Sequence, residues 1–151
     1  HTQALARDRE RTEDALGVWP HDAGAKADTS GETISRAQKE AIRRAGLRLG
    51  VSTHDEGELA RALSVRPDYV ALGPVWPTIL KQMPWAPQGL ARVSDWKRQL
   101  GAVPLVAIGG LTPERGAAAL AAGADVVSAV TDITLNPDPE GRMRAWLKVT
   151  A

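Results

Sequence analysis

Cysteine and phenylalanine are absent from the chain, and only 4% of its 151 residues are aromatic. The lack of cysteine excludes disulfides and thiolate metal sites, and it is typical of a reducing cytoplasm, where we expect this protein. Because aromatic side chains are so few, alanine, valine and leucine must supply most of the core.

Long apolar runs and an excess of charge are also lacking. No stretch approaches the roughly 20 residues that a transmembrane helix requires, and 19 basic residues nearly balance 18 acidic ones. We therefore expect no membrane partner and no nucleic-acid partner, because a net charge of +1 does not favour a broad surface for either.

Residues 1–32 show no hydrophobic period and are dominated by charged and polar side chains. Glycine, proline, aspartate and serine interrupt their second half. We expect a poorly structured or unrelated leader there. From residue 33 an amphipathic helix follows, with Ile42 on its apolar face and Gly46 as its stop. The structured domain is therefore expected at residues 33–151.

A strand–loop–helix rhythm repeats four times after this helix. The apolar runs predict strands at residues 47–51, 68–72, 103–108 and 125–133. The helices between and after them have recognisable starts: Thr53 with Glu56, Thr112 with Pro113, and Asp138 with Pro139. In the last helix, the residues expected to face the core are Met143, Trp146 and Leu147.

Strands that alternate with helices predict a parallel sheet with right-handed crossovers. Two architectures fit this α/β pattern, a doubly wound sheet and a (β/α)8 barrel. In both, functional residues lie at the carboxyl ends of the strands. That is where this chain places its polar and glycine-rich segments.

The longest connection spans residues 73–89 and contains four prolines, two tryptophans and one lysine. Connections of this length are uncommon in compact domains and are often functional, so we interpret it as an ordered lid. Lys81 is its only cation and could hold a phosphate or a departing pyrophosphate. A solvated surface lysine is the alternative, but the apolar neighbours favour a functional role. Thr78 adds a hydroxyl to the same loop.

The turn at Gly109 and Gly110 joins a strand to a capped helix. Such a turn lets backbone N–H groups approach an anion closely, with help from the helix dipole. The alternative is a tight turn that only connects two elements. Thr131, at the end of the next predicted strand, favours the phosphate-binding interpretation, because barrels often hold phosphate between neighbouring loops.

His54 follows a strand end and could act as a general acid or base. A surface residue in the first turn of the next helix is the interpretation that we favour. Asp55, Glu56 and Glu58 are explained as acids at a helix N-terminus. No cluster in the sequence has convincing metal-ligand spacing.

Three motifs together carry a family resemblance. They are GVSTH at residues 50–54, ALGP at residues 71–74 with the P-T-x-x-K-x-M-P-x-A-P-Q-G loop that ends at Gly89, and VAIGG at residues 106–110. The chain from about Ala41 to Thr134 resembles the thiamine-phosphate synthase family. The long-loop motif is the specific one, whereas a lone Ile-Gly-Gly is weak.

The resemblance implies a (β/α)8 TIM barrel, of which only the carboxyl-terminal four βα units are legible here. It also implies a role in thiamine biosynthesis: joining hydroxymethylpyrimidine diphosphate to a thiazole phosphate, with release of pyrophosphate. The expected partners are therefore small phosphorylated substrates.

Site residues follow from the resemblance one by one. Ser52 is implied as a ligand of the pyrimidine diphosphate, and Lys81 as the catalytic cation that holds its pyrophosphate. Thr78 is implied as a contact of the thiazole phosphate from the long loop. The rest of that phosphate site is implied to be Gly110, Val130 and Thr131.

Two features depart from the family pattern. Leu80 stands where a second loop hydroxyl is common. The family also implies Mg²⁺ as a cofactor, but its magnesium-binding aspartates and pyrimidine-binding residues are not found in residues 1–46. We therefore expect this chain alone to bind phosphate weakly and to turn over little or nothing.

Two other functions remain open. One is a related thiazole tautomerase that uses His54 as its acid or base, although the loop motif around Lys81 argues against it. The other is a non-catalytic phosphate-binding fragment. In either case, half a barrel leaves two sheet edges and one apolar face uncovered, which predicts self-association.

Overall fold

The structure is a computed structural model that describes residues 36–79 and 85–151. The chain divides after Leu49 into two compact units. In the first, helix α1 spans Arg36–Arg44 and carries the buried Ile42. Gly46 ends it with a left-handed backbone (φ +68°), as the sequence predicts. The leader expected at residues 1–32 lies outside the described residues.

The second unit alternates strands with helices along the whole of its length. Its elements are β1 (Gly50–Thr53), α2 (Glu56–Ser64), β2 (Tyr69–Leu72), α3 (Gly89–Leu100), β3 (Leu105–Ile108), α4 (Pro113–Ala121), β4 (Val126–Ser128), α5 (Thr131–Thr134) and α6 (Pro139–Thr150). The strands form one parallel sheet in the order β1-β2-β3-β4. The predicted parallel α/β architecture is confirmed.

The core lies on the sheet face that the helices cover. Alternate strand residues point to this face, because side chains alternate along a strand, and they are buried together with Leu59, Val93 and Trp96 of the helices. The opposite face, called the open face here, carries Ser52, Tyr69, Ala71, Val106, Ile108, Val126 and Ser128 by register. Tyr69, Ile108 and Val126 on it are 36–47% exposed.

Thr53 is fully buried at the end of β1, and it is not the helix cap that the sequence predicts. Its hydroxyl donates to the Ala71 carbonyl (2.9 Å) and accepts from the Trp96 indole N–H (2.9 Å). Asp55 caps α2 instead, with its carboxylate accepting from the Glu58 N–H at 2.8 Å. The prediction is wrong because the Thr53 hydroxyl satisfies two buried groups in the core.

Strand β4 is shorter than the predicted run over residues 125–133. It ends at Ser128, and Thr131 begins the short helix α5. The valine and isoleucine pattern is typical of a strand, but contacts of Asp132 with α6 bend the chain into a turn. Strand β1 likewise begins at Gly50 rather than at Leu47, because the Leu47 N–H closes the end of α1 on the Ile42 carbonyl.

Helix α6 packs against α4 through one aromatic side chain. Trp146 is 6% exposed and lies so close to Gly116 that a Cβ there would sit 2.5 Å from its ring. Met143 and Leu147, which the sequence places in the core, are 44% and 61% exposed. The prediction for Met143 and Leu147 is wrong because the Trp146 ring lies in the contact between α6 and α4. Among the described residues, no helix has the length and apolar character to span a bilayer.

Candidate functional site

A cleft opens at the carboxyl ends of β3 and β4. Its volume is about 300 Å³ when the part that is open to solvent is included. Its lining residues are Thr78, Ile108, Gly109, Gly110, Leu111, Ser128, Ala129, Val130 and Thr131. The structure therefore brings together four residues that the sequence analysis names as site residues: Thr78, Gly110, Val130 and Thr131.

One wall of the cleft is the turn after β3, where the chain makes two close approaches. Gly109 and Gly110 have φ angles of +95° and +67°. A Cβ on Gly109 would lie 2.7 Å from Pro74, and one on Gly110 would lie 2.8 Å from the Trp76 carbonyl oxygen and closer still to that of Pro77. Only glycine satisfies both the left-handed backbone and the lack of space.

The long loop is hydrogen-bonded to the same turn. The Val75 N–H donates to the Ile108 carbonyl (2.9 Å), and the Trp76 N–H donates to the Gly109 carbonyl (3.0 Å). These bonds extend the pairing of β2 and β3 beyond the strands. They carry Thr78 to the rim of the cleft.

Four backbone donors in this cleft have no acceptor in the part of the chain that the structure describes. Within the described residues, the N–H groups of Gly110, Leu111, Val130 and Thr131 make no hydrogen bond. Helix α4 begins beside them with the predicted cap, since the Thr112 hydroxyl accepts from the Arg115 N–H at 3.4 Å. Several N–H groups that converge without acceptors are typical of an anion site.

The second wall is held by an ion pair that sequence spacing did not reveal. Asp132, next to Thr131, accepts two bonds from the Arg142 guanidinium and one from the Trp146 indole N–H, each 2.8 Å long. The bonds from Arg142, aided by the bond from Trp146, hold the pKa of the Asp132 carboxyl below its ordinary value. Helix α5 is therefore fixed to α6 on the side of the cleft away from β3.

Arg115 is a second residue that sequence reasoning missed. Its Nη1 donates to the Gly110 carbonyl at 2.7 Å, and its guanidinium carbon lies 5.7 Å from the centre of the Trp76 ring. A signal was present in the sequence: a cation in the first turn of a helix opposes the helix dipole, so its placement requires another interaction.

Ser52 lies apart from this cleft. It occupies the open face near the end of β1, opposite Ala71 of β2, and it is exposed. Three strand spacings of about 4.8 Å separate β1 from β4, or roughly 14 Å across the sheet. Lys81 and Leu80 lie outside the described residues.

His54 is not the surface residue that we favoured. Its ring stacks on Trp85 with centroids 3.8 Å apart and planes 11° apart. Its Nδ1 lies 2.9 Å from Oε2 of Glu58, which also accepts from the His54 backbone N–H at 2.6 Å. The side chain is only 19% exposed. Sequence reasoning failed here because His54 and Trp85 are far apart in the sequence, and the residues next to His54 do not indicate their contact.

No metal site is formed in the described ranges, since no three histidine or acidic side chains there come together. Asp132 is bound by Arg142, and Asp125 is bound by Lys97 and by the Leu105 N–H. Asp132 beside the cleft is thus occupied by protein donors, and Asp125 lies at the other, amino end of β4.

The chain is similar to one protein family along most of its length. The sequence profile of the family described as "Thiamine monophosphate synthase" matches residues 29–133. A thiamine-phosphate synthase of Rhizobium etli is 62% identical over 120 residues, which cover 80% of this chain and 59% of that protein. A thiamine-phosphate synthase of Neisseria meningitidis serogroup A is 41% identical over 146 residues, 97% of this chain and 68% of that protein.

Solved structures share the fold at lower identity. A thiamine phosphate pyrophosphorylase from Pyrococcus furiosus superposes with a TM-score of 0.63 at 23% identity, covering 74% of this chain and 53% of that one. A 3-hexulose-6-phosphate synthase superposes with a TM-score of 0.56 at 20% identity, covering 76% and 55%. Such neighbours are of TIM-barrel type, and the chain spans between half and about two thirds of the proteins that it matches.

Proposed function

The chain belongs to the thiamine monophosphate synthase family, and on that premise we propose that it serves thiamine-phosphate synthesis. In this proposal it supplies the binding site for the thiazole phosphate. The reaction joins hydroxymethylpyrimidine diphosphate to that substrate and releases pyrophosphate. The complete lack of cysteine is compatible with a reducing cytoplasm, which we propose as the compartment.

The observation that carries the proposal is the set of N–H donors in the cleft that have no acceptor among the described residues. Two belong to Gly110 and Leu111, which line one wall, and two belong to Val130 and Thr131, which line the other. A phosphate group carries several acceptor oxygens, so N–H donors on two walls of one cleft suit it well. Thr78 and Thr131 line the same cleft, and threonine is a residue type whose hydroxyl suits a phosphate oxygen.

A second phosphorylated substrate requires a second place on the sheet. We assign the pyrimidine diphosphate to the end of β1, where Ser52 is exposed on the open face. The separation of roughly 14 Å from β4 leaves room for two substrates side by side above the strand ends. Lys81 joins this assignment through the loop motif that it shares with the family.

In the coupling step, the bond between the pyrimidine methylene carbon and the diphosphate oxygen breaks. Its electron pair leaves with pyrophosphate, and the thiazole nitrogen supplies the pair for the new carbon–nitrogen bond. The role assigned to Lys81 is to balance the charge that grows on the departing oxygens. The role assigned to the cleft is to hold the thiazole by its phosphate, so that the two reactants meet in a productive orientation.

Magnesium is implied by the family, but the described residues do not fit it. Near the carboxyl ends of the strands, Asp132 is bound by Arg142 and Glu58 lies against His54, and no three acidic or histidine side chains come together in the described ranges. No step above is therefore routed through a metal ion. We propose that the chain by itself turns over little substrate, because the magnesium-binding and pyrimidine-binding residues that the family implies are not found in residues 1–46.

A chimera tests this function directly. The matching 120-residue segment of the Rhizobium etli relative is replaced by the corresponding segment of this chain, and formation of thiamine phosphate is measured. We expect the chimera to retain activity within about tenfold of the parent. A chimera that folds, by circular dichroism and thermal melting, but forms no product would refute the proposal.

Two variants of the chimera separate this function from the tautomerase alternative. Lys81→Gln removes the cation of the loop, and we expect at least a tenfold loss of coupling. His54→Gln retains a polar side chain near Glu58 and should leave coupling within about threefold. The reverse result, with dependence on His54 and indifference to Lys81, would favour the tautomerase.

A further inference from the structure

We propose that Arg115 is a positioning residue of the phosphate cleft, which holds the Gly110–Leu111 peptide in the orientation that an anion needs. This inference rests on the proposed function of that cleft. It goes beyond it by assigning a role to a side chain that does not line the cleft and that no family motif quoted above contains.

Arg115 makes three interactions, each with a different segment around the cleft. Its Nη1 donates to the Gly110 carbonyl at 2.7 Å. Its guanidinium lies over the Trp76 ring of the long loop at 5.7 Å, within the range of a cation–π attraction. Its charge also acts on Asp132 across the cleft, where it helps to lower the pKa of that carboxyl.

The hydrogen bond to Gly110 determines which way one peptide faces. In a trans peptide the C=O and the following N–H point in opposite directions. With the Gly110 carbonyl directed at Arg115, the Leu111 N–H is directed away from it. Leu111 lines the cleft, and its N–H has no acceptor among the described residues. The guanidinium thus keeps this donor available to an anion.

Glycine makes such a restraint necessary. Gly110 has no side chain to limit its backbone, and its φ of +67° is one of several regions that glycine can adopt. Contact with the carbonyls of Trp76 and Pro77 limits one side of the residue. The bond from Arg115 limits the other side, so the peptide cannot rotate without breaking it.

Lysine should not replace arginine here. The planar guanidinium can stack on an indole ring and donate from its edge at the same time, whereas a lysine ammonium is a compact, strongly hydrated charge. A lysine at position 115 therefore restores the charge without restoring both contacts. This difference separates a positioning role from a general attraction of the cleft for anions.

The test is an NMR titration of the ¹⁵N-labelled 151-residue chain with inorganic phosphate. Arg115→Met removes the charge and both contacts, and Arg115→Lys keeps the charge but cannot make both contacts at once. We expect Arg115→Met to weaken phosphate binding by about tenfold or more, with Arg115→Lys intermediate. Both variants should displace the amide signals of Gly110 and Leu111 before any phosphate is added.

Arg98→Met is the matched control, because Arg98 is an exposed arginine of α3 whose ion pair in the described part of the chain is with Asp95 of the same helix. It should leave phosphate affinity and both amide signals unchanged. Wild-type affinity in Arg115→Met would overturn the proposal. Full recovery of affinity in Arg115→Lys would also overturn it, since charge alone would then explain the effect.

Failure of the proposed function gives a different result. If the wild-type chain binds no phosphate, the cleft is not the phosphate site. The positioning role is then judged by the amide signals of Gly110 and Leu111 in phosphate-free protein. Displacement of these signals in both Arg115 variants, but not in Arg98→Met, supports the restraint, and unchanged signals refute it.

Discussion

Gly110 lies against the carbonyl oxygens of Trp76 and Pro77, and a methyl group on its Cα would overlap with both. Gly110→Ala should therefore destabilise the fold and abolish phosphate binding. The left-handed backbone costs about 1–2 kcal/mol for alanine, and crowding adds about 1–3 kcal/mol. Chemical denaturation gives the free energy of unfolding, and titration with phosphate gives the affinity.

Gly89→Ala provides the control for backbone strain alone. Gly89 has a similar φ of +72°, and nothing lies within 4 Å of a Cβ built there. We expect Gly89→Ala to be destabilised only by the cost of a left-handed backbone for alanine and to keep the phosphate affinity of the wild type. Equal destabilisation in both variants would show that crowding at Gly110 is unimportant.

The buried hydroxyl of Thr53 is expected to matter for stability and not for binding. Thr53→Val leaves the Trp96 indole N–H without its acceptor, at a cost of about 1–3 kcal/mol for an unsatisfied buried donor. Thr53→Ser keeps the hydroxyl and should cost about 1 kcal/mol for the lost methyl group. If serine and valine destabilise the protein equally, the hydrogen bond contributes nothing.

The ion pair of Asp132 with Arg142 predicts a pH dependence. Because the folded-state pKa of Asp132 lies below its ordinary value, its stabilising effect is complete above the unfolded pKa of about 3.9. That effect is lost as the pH falls through the folded pKa. The free energy of unfolding should therefore decrease from about pH 5 downward.

Asp132→Asn identifies the source of this pH dependence. At pH 7 it should cost on the order of 1–2 kcal/mol, since the carboxylate accepts three bonds but remains partly exposed. Its stability should vary less with pH than that of the wild type. Glu140 forms an exposed ion pair with Arg144 within α6. Glu140→Gln is therefore the control and should retain the wild-type pH profile. An unchanged profile in Asp132→Asn would contradict this assignment.

His54 and Trp85 stack beside β1, at the edge of the sheet opposite to the cleft. His54→Ala should destabilise the protein by about 1 kcal/mol, the usual value of an aromatic pair. It should leave phosphate affinity unchanged, because roughly 14 Å separate β1 from β4. A large loss of phosphate affinity in this variant would show that the two edges of the sheet are coupled.

The open face predicts self-association. Tyr69, Ile108 and Val126 expose apolar surface there, and the outer strands β1 and β4 pair on one side only in the described sheet. Sedimentation velocity should show species larger than a monomer at micromolar concentrations. Val126→Lys should shift the distribution towards monomer, and Leu147→Lys on the exposed side of α6 should not. A wild-type monomer at every concentration would contradict the prediction.

The parallel α/β architecture could be predicted because it follows from local patterns. Apolar runs, glycine stops and the caps at Thr112 and Asp138 each depend on a few neighbouring residues, and the structure retains them. The end of β4 could not be predicted in this way. It depends on Asp132 meeting Arg142 ten residues later, and no short sequence window contains that contact.

In the candidate site, too, local motifs could be predicted from the sequence and contacts between distant residues could not. Thr78, Gly110, Val130 and Thr131 were named from motifs and now share one cleft. Arg115 was missed because its position in the first turn of α4 indicates only that it has another interaction, and its partner, the Gly110 carbonyl, is a backbone atom that the sequence does not identify. His54 was misplaced because its partner Trp85 lies 31 positions further along the chain, within the long loop.

Calorimetric titration with the thiazole phosphate, compared with the same thiazole lacking its phosphate, tests the phosphate cleft most directly. The 151-residue chain should bind the phosphorylated compound at least tenfold more tightly. Thr131→Val removes one hydroxyl but keeps the backbone donors and should reduce that difference, while Thr53→Ser should preserve it. Equal affinities for the two compounds in the wild-type chain would contradict the assignment of the cleft to the thiazole phosphate.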